Sequence, residues 1–167
     1  HKSILHAITM TGAIPVFLTP TRNHYGIIGP IPLEEFQWES IAKKIERHPL
    51  IKSASAARRA GDAAARDKPR VLTLTQSTYD GILYNVETIK SLLDGKIDTL
   101  HFDEAWLPHA AFHPYYSDMH AIGGRSARPR NRASMIFSTQ STHKMLAGLS
   151  QASQILIEDA QSERLDR

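Results

Sequence analysis

Short apolar runs alternate along this chain with longer stretches in which apolar residues recur every three or four positions. Five runs have strand length: 13–18, 71–75, 99–102, 134–138 and 154–157. They are nearly continuous rather than alternating, the pattern of strands buried on both faces of a parallel sheet. Between them the periodicity becomes helical. Residues 2–10 form an amphipathic stretch that stops at Gly12, a residue suited to closing a helix. Residues 33–47 place Phe36, Ile41 and Ile45 on one side with Pro49 beyond, and residues 82–93 carry Leu83, Val86, Ile89, Leu92 and Leu93 before Gly95. Strands alternating with helices predict a layered α/β fold with crossover connections.

Segments 19–32 and 123–132 read as loops, being rich in Gly and Pro or in Gly and Arg. Loops at the ends of buried strands are where α/β proteins usually keep their chemistry. Residues 53–68, rich in Ala and Arg, offer little apolar surface and are expected to be an exposed helix or insertion. No internal repeat is present.

Composition narrows the function classes. The chain has 167 residues, enough for one domain with a sizeable core, and its 41% hydrophobic and 22% charged residues suit a folded domain. The net charge of +3 gathers in 58–70 and 125–132, without the continuous basic stripe and interleaved aromatics of a nucleic-acid binder. With no cysteine at all, disulfides, thiolate metal sites and cysteine nucleophiles are excluded, and a reducing, cytoplasmic setting is expected. No apolar run reaches bilayer length, so no membrane association is expected. A first residue of His rather than Met suggests a piece of a longer chain.

Ser141-Thr142-His143-Lys144 directly follows the run 134–138. A lysine just past a buried strand can bond a carbonyl cofactor, and a hydroxyl three residues earlier can turn toward a phosphate. Most lysines in such places are simply solvated, so this signal alone is weak. Asp103 ends another apolar run. It can be the anion that keeps a cofactor's pyridine nitrogen protonated, or merely the cap of the following turn. The 144 − 103 = 41 residues between them leave room for a crossover and another strand, which would bring both to one carboxyl edge. His109, His113, His120 and Asp118 invite a metal reading, but Pro108 and Pro114 interrupt the helical spacing that ligands would need. No metal is therefore expected.

Six ordered motifs carry a family resemblance: His1-Lys2-Ser3, Pro20-Thr21-Arg22-Asn23, Tyr25 through Ile31, Ser77-Thr78-Tyr79-Asp80-Gly81, Leu100 through Trp106, and Thr139 through Lys144. Together they resemble the bacterial ornithine/lysine/arginine decarboxylases of the aminotransferase-like fold type I class. The wording of Tyr25 through Ile31 and of Leu100 through Trp106 is most similar to the biodegradative arginine enzymes. The resemblance implies part of a three-layer large domain with a mostly parallel sheet and pyridoxal 5'-phosphate as cofactor. It places the phosphate loop upstream of His1 and a smaller domain beyond Arg167, with 53–68 as an insertion.

Residue by residue, it implies Lys144 as the cofactor-bearing lysine, Asp103 as partner of the pyridinium nitrogen, and His1 and Ala105 on the two ring faces. Ser141 corresponds to a phosphate-binding hydroxyl and His143 to a proton relay or phosphate contact. Trp106 and Thr78 correspond to residues near the ring and its phenolic oxygen. The implied reaction is decarboxylation of a basic amino acid by a homodimer or larger homo-oligomer, with arginine favoured over lysine and ornithine. An aminotransferase, which Asp103 and Lys144 serve equally well, and a non-catalytic fragment with an interaction role stay open.

Overall fold

A computed structural model describes residues 2–56, 68–122 and 133–159. Two compact units divide the chain, His1–Asp67 and Lys68–Arg167. The first holds helices α1 (Lys2–Thr11), α2 (Trp38–Arg47) and α3 (Pro49–Ala56). The second holds strands β1 (Val71–Thr75), β2 (Thr99–Asp103), β3 (Met135–Gln140) and β4 (Gln154–Glu158), with α4 (Val86–Leu93) and the short α5 (Thr142–Met145).

Four of the five predicted strands form within a residue or two of their expected bounds. The run 13–18 does not: no strand occurs among the described residues of the first unit. An extended apolar segment becomes a strand only beside a partner that takes up its backbone groups. This segment is instead held by side chains. Glu35 accepts a hydrogen bond from the Thr19 backbone N–H at 2.7 Å, and Lys44 Nζ donates to the Phe17 carbonyl at 3.1 Å and to Glu35 at 2.6 Å.

The predicted helix 33–47 breaks at Gln37, whose extended backbone separates a 3₁₀ turn, Leu33–Phe36, from α2. Pro49 opens α3 rather than closing the preceding helix, because a proline at a first helical position has no bond to lose. The helix expected at 82–93 starts only at Val86, where Asn85 Oδ1 accepts from the Thr88 N–H at 2.9 Å. The insertion expected at 53–68 falls mostly outside the described residues.

The sheet of the second unit has the order β1-β2-β3-β4. β1, β2 and β3 run parallel, and β4 lies antiparallel at the edge beside β3. The fold is α/β with a mostly parallel sheet. Burial on both faces, expected from the continuous runs, is not found: β2 and β3 alternate between buried and half-buried positions. Leu74, Leu100, Phe102 and Ile136 share the closed face, and the core also takes Val86, Ile89 and Leu93 of α4 with Ile97, Leu107, Ala110 and Ala121. The other face carries Thr73, His101, Asp103 and Thr139.

Candidate active site

Parallel pairing decides where the chemistry lies. Asp103, the last residue of β2, stands in register with Thr139 of β3. Because the two strands point the same way, Asp103 and the segment 141–144 leave the same carboxyl edge. This is the arrangement expected from their spacing.

Two adjacent carboxylates occupy opposite faces there. Glu104 is fully buried. It accepts from the Ala121 N–H at 2.5 Å, Ser138 Oγ at 2.5 Å and Gln140 Nε2 at 3.0 Å. Its backbone N–H donates to the Thr139 carbonyl at 2.9 Å. Three donors satisfy a buried anion, so Glu104 pins the turn after β2 to β3. Asp103 is half-buried, and one oxygen accepts only from the Ala105 N–H at 3.1 Å. This is the turn-capping contact considered from sequence, and it leaves Oδ2 without a partner among the described residues.

His101 sits beneath Asp103 on the same face. Its Nδ1 lies 3.3 Å from Thr73 Oγ1 and its Nε2 lies 3.1 Å from Thr139 Oγ1, so one imidazole joins β1, β2 and β3. Burial pushes its pKa below the ordinary value, and the charge of Asp103 opposes that shift without overcoming it. Burial thus favours the neutral form of the ring at the base of the site.

On the β3 side, Ser141 precedes α5, and its side chain makes no capping bond. His143 Nδ1 donates to the Ala152 carbonyl at 2.8 Å, which fixes the ring and turns Nε2 away from that contact. Lys144 is exposed, and its Nζ stands 5.6 Å from the centre of the Trp106 ring. Trp106 and Tyr79 form a T-shaped pair with centroids 5.0 Å apart and planes at 79°.

Thr78 Oγ1 accepts from the Ile82 N–H at 3.1 Å within a turn closed by Gly81 at φ +82. Its hydroxyl thus already serves that turn. Ala105 lies between Asp103 and Trp106 in the turn. His1 lies outside the described residues. His109 and His113 both pack against the Tyr116 ring, at 6.2 and 6.1 Å.

The profile of the Orn/Lys/Arg decarboxylase major domain matches residues 1–167, the whole chain. The chain belongs to that family. A lysine decarboxylase of Pseudomonas aeruginosa is 47% identical over 99% of this chain and 20% of its own length. The biodegradative arginine decarboxylase of Escherichia coli is 43% identical over 95% of this chain and 20% of its own. The solved structure of lysine decarboxylase A from Pseudomonas aeruginosa superposes with a TM-score of 0.77 at 50% identity, covering 95% of this chain and 19% of that one. The chain thus spans about one fifth of the relatives it matches.

Within this member of the Orn/Lys/Arg decarboxylase family, two functional-edge residues were not assigned roles from sequence. Glu104 and His101 lie inside a motif that drew attention to Asp103. Nothing local distinguishes a buried, saturated Glu from a solvated one, since its partners Ser138, Gln140 and Ala121 are remote in sequence. A charged residue directly after an apolar strand was the available signal.

The residues present suit pyridoxal 5'-phosphate. Among the described residues, Oδ2 of Asp103 and the Ser141 hydroxyl have no partner, and the Lys144 amine has no hydrogen bond or ion pair. All three stand at one sheet edge. No helix among the described residues is long and apolar enough to cross a membrane.

Proposed function

We propose that the protein decarboxylates a basic amino acid using pyridoxal 5'-phosphate held by Lys144, releasing the amine and carbon dioxide. One observation carries this reading: in a chain matched throughout by the decarboxylase major domain, Asp103 and the segment 141–144 meet at one carboxyl edge. When bound, the cofactor supplies an electron sink for the bond to the departing carboxylate.

The chain's own residues prepare that chemistry. Asp103 presents a negative oxygen that keeps a facing ring nitrogen protonated, while Glu104 and Thr139 hold the turn from which it projects. Lys144 supplies the amine that would hold the cofactor. Ser141 donates to the phosphate. His143, anchored at Nδ1 by Ala152, offers Nε2 as phosphate contact or proton relay. Ala105, and His1 where it is placed by the rest of the protein, flank the ring. Trp106 and Thr78 border it.

The proposal extends to the whole protein: a cytoplasmic homodimer or larger homo-oligomer, with this chain as part of a cofactor-binding large domain and the phosphate loop and small domain contributed by other sequence. Arginine was favoured by motif wording, whereas the relative at 47% identity is a lysine decarboxylase. The substrate is therefore proposed as the class, arginine, lysine or ornithine.

Product analysis tests the reading. Carbon dioxide and the corresponding amine are expected, with visible cofactor absorbance lost in Lys144→Ala. A keto acid product would assign the site to transamination, and unchanged cofactor absorbance in Lys144→Ala would remove Lys144 from it.

A further inference from the structure

We propose that Trp106 is a positioning residue for Lys144: its indole face holds the ε-ammonium at the Asp103 side of the site whenever the lysine is not bonded to cofactor. The proposal rests on the reading that Lys144 carries the cofactor. It adds a resting place for the amine when that bond is absent.

The contact is specific in kind. Nζ lies 5.6 Å from the ring centre, inside the range over which an indole face attracts a cation. No hydrogen bond or ion pair competes for this ammonium among the described residues. The two nearby carboxylates do not take it either: Glu104 is saturated by three donors, and Asp103, although one of its oxygens is uncommitted, forms no ion pair with Lys144 among the described residues. The ring is the partner that remains.

The ring is also held in advance. Trp106 follows Asp103, Glu104 and Ala105 in a turn closed by the Leu107 N–H to the Glu104 carbonyl at 2.9 Å. That turn is fixed at its base by the buried Glu104 carboxylate. Tyr79, from the turn after β1, packs against the indole in a T-shaped contact with centroids 5.0 Å apart. Trp106 keeps 37% of its surface exposed, so the indole is accessible to the exposed Lys144 side chain. One turn therefore presents both the Asp103 carboxylate and the surface that receives the lysine.

Nuclear magnetic resonance of the cofactor-free whole protein tests this. Reductive ¹³C-dimethylation of lysines keeps the charge, and a methyl group over an indole face is displaced upfield by the ring current. The Lys144 signal, assigned by its loss in Lys144→Ala, is expected upfield of the bulk lysine signals. Trp106→Leu should return it to the bulk position. Trp106→Phe, which keeps a π face, should retain a smaller displacement and covers the case in which Trp106→Leu does not fold. A cation–π contact at an exposed site favours the docked conformer by roughly two- to fivefold, so the averaged displacement is partial but resolvable. A bulk-like Lys144 signal in the unaltered protein, or equal signals in the Phe and Leu variants, would overturn the proposal. Failure of the cofactor reading is separate: cofactor absorbance would then survive Lys144→Ala, while the unaltered protein would still show the ring-current shift.

Discussion

Asp103 and Thr139 are register partners across the parallel β2–β3 pair, so the strand that ends in the free carboxylate and the strand that leads to Lys144 rise side by side. Replacing Asp103 by Asn keeps the shape and the capping oxygen for Ala105 but removes the charge. Cofactor is expected to remain on Lys144, and decarboxylation to fall by roughly a hundredfold or more, the scale for losing a preorganised electrostatic contact. The check is amine formation at saturating cofactor, with absorbance confirming attachment. Near-normal turnover would leave Asp103 with only its turn-capping role.

The neighbouring carboxylate has a different consequence. Glu104 is surrounded by donors alone: a backbone N–H, a hydroxyl and an amide. Glu104→Gln turns an NH₂ group toward at least one of them and strands a buried donor, at a cost of about 1–3 kcal/mol. A lower midpoint of urea unfolding at unchanged slope is expected. An unaltered midpoint would show that the buried network tolerates the amide.

His101 gives the fold a pH dependence of defined sign. Its folded-state pKa lies below the ordinary value, chiefly through burial, so the unfolded chain takes up this proton more readily than the folded one. Stability from His101 is complete above the unfolded value of about 6.5 and declines as pH falls from there toward the folded value. His101→Phe does not titrate and should flatten that limb in thermal unfolding measured across this window. A slope that persists unchanged in His101→Phe would assign it to other groups.

The sequence made the strands of the second unit legible because each apolar run there has a neighbour to pair with. The identical kind of run at 13–18 misled, since hydrophobicity signals burial and does not supply the hydrogen-bonding partner that defines a strand. Continuity of the runs likewise overstated burial. β2 reads as uniformly apolar at Leu100 and Phe102, yet His101 and Asp103 between and after them face the half-open side. The shared edge of Asp103 and Lys144 was legible because their spacing and the strands that precede them are both visible along the chain. The Glu104 network and the Trp106–Lys144 contact depend on folding remote residues together, and no local pattern encodes them.

Ser141 offers the complementary case to Glu104, a polar group whose loss should affect ligand and not fold. Its hydroxyl makes no capping bond to α5, so Ser141→Ala removes no partner among the described residues and unfolding stability should change by less than about 0.5 kcal/mol. Toward a phosphate the same hydroxyl is a donor to a charged acceptor, an interaction worth about 1.5–3 kcal/mol. Cofactor affinity in the whole protein should therefore weaken roughly tenfold or more, measured by titrating the cofactor-free form and following absorbance. Turnover at saturating cofactor should change little, because the contact lies on the anchoring phosphate and not at the reacting bond. A weaker affinity accompanied by an equal loss of stability would make Ser141 a structural residue. An unchanged dissociation constant would remove it from the phosphate site altogether.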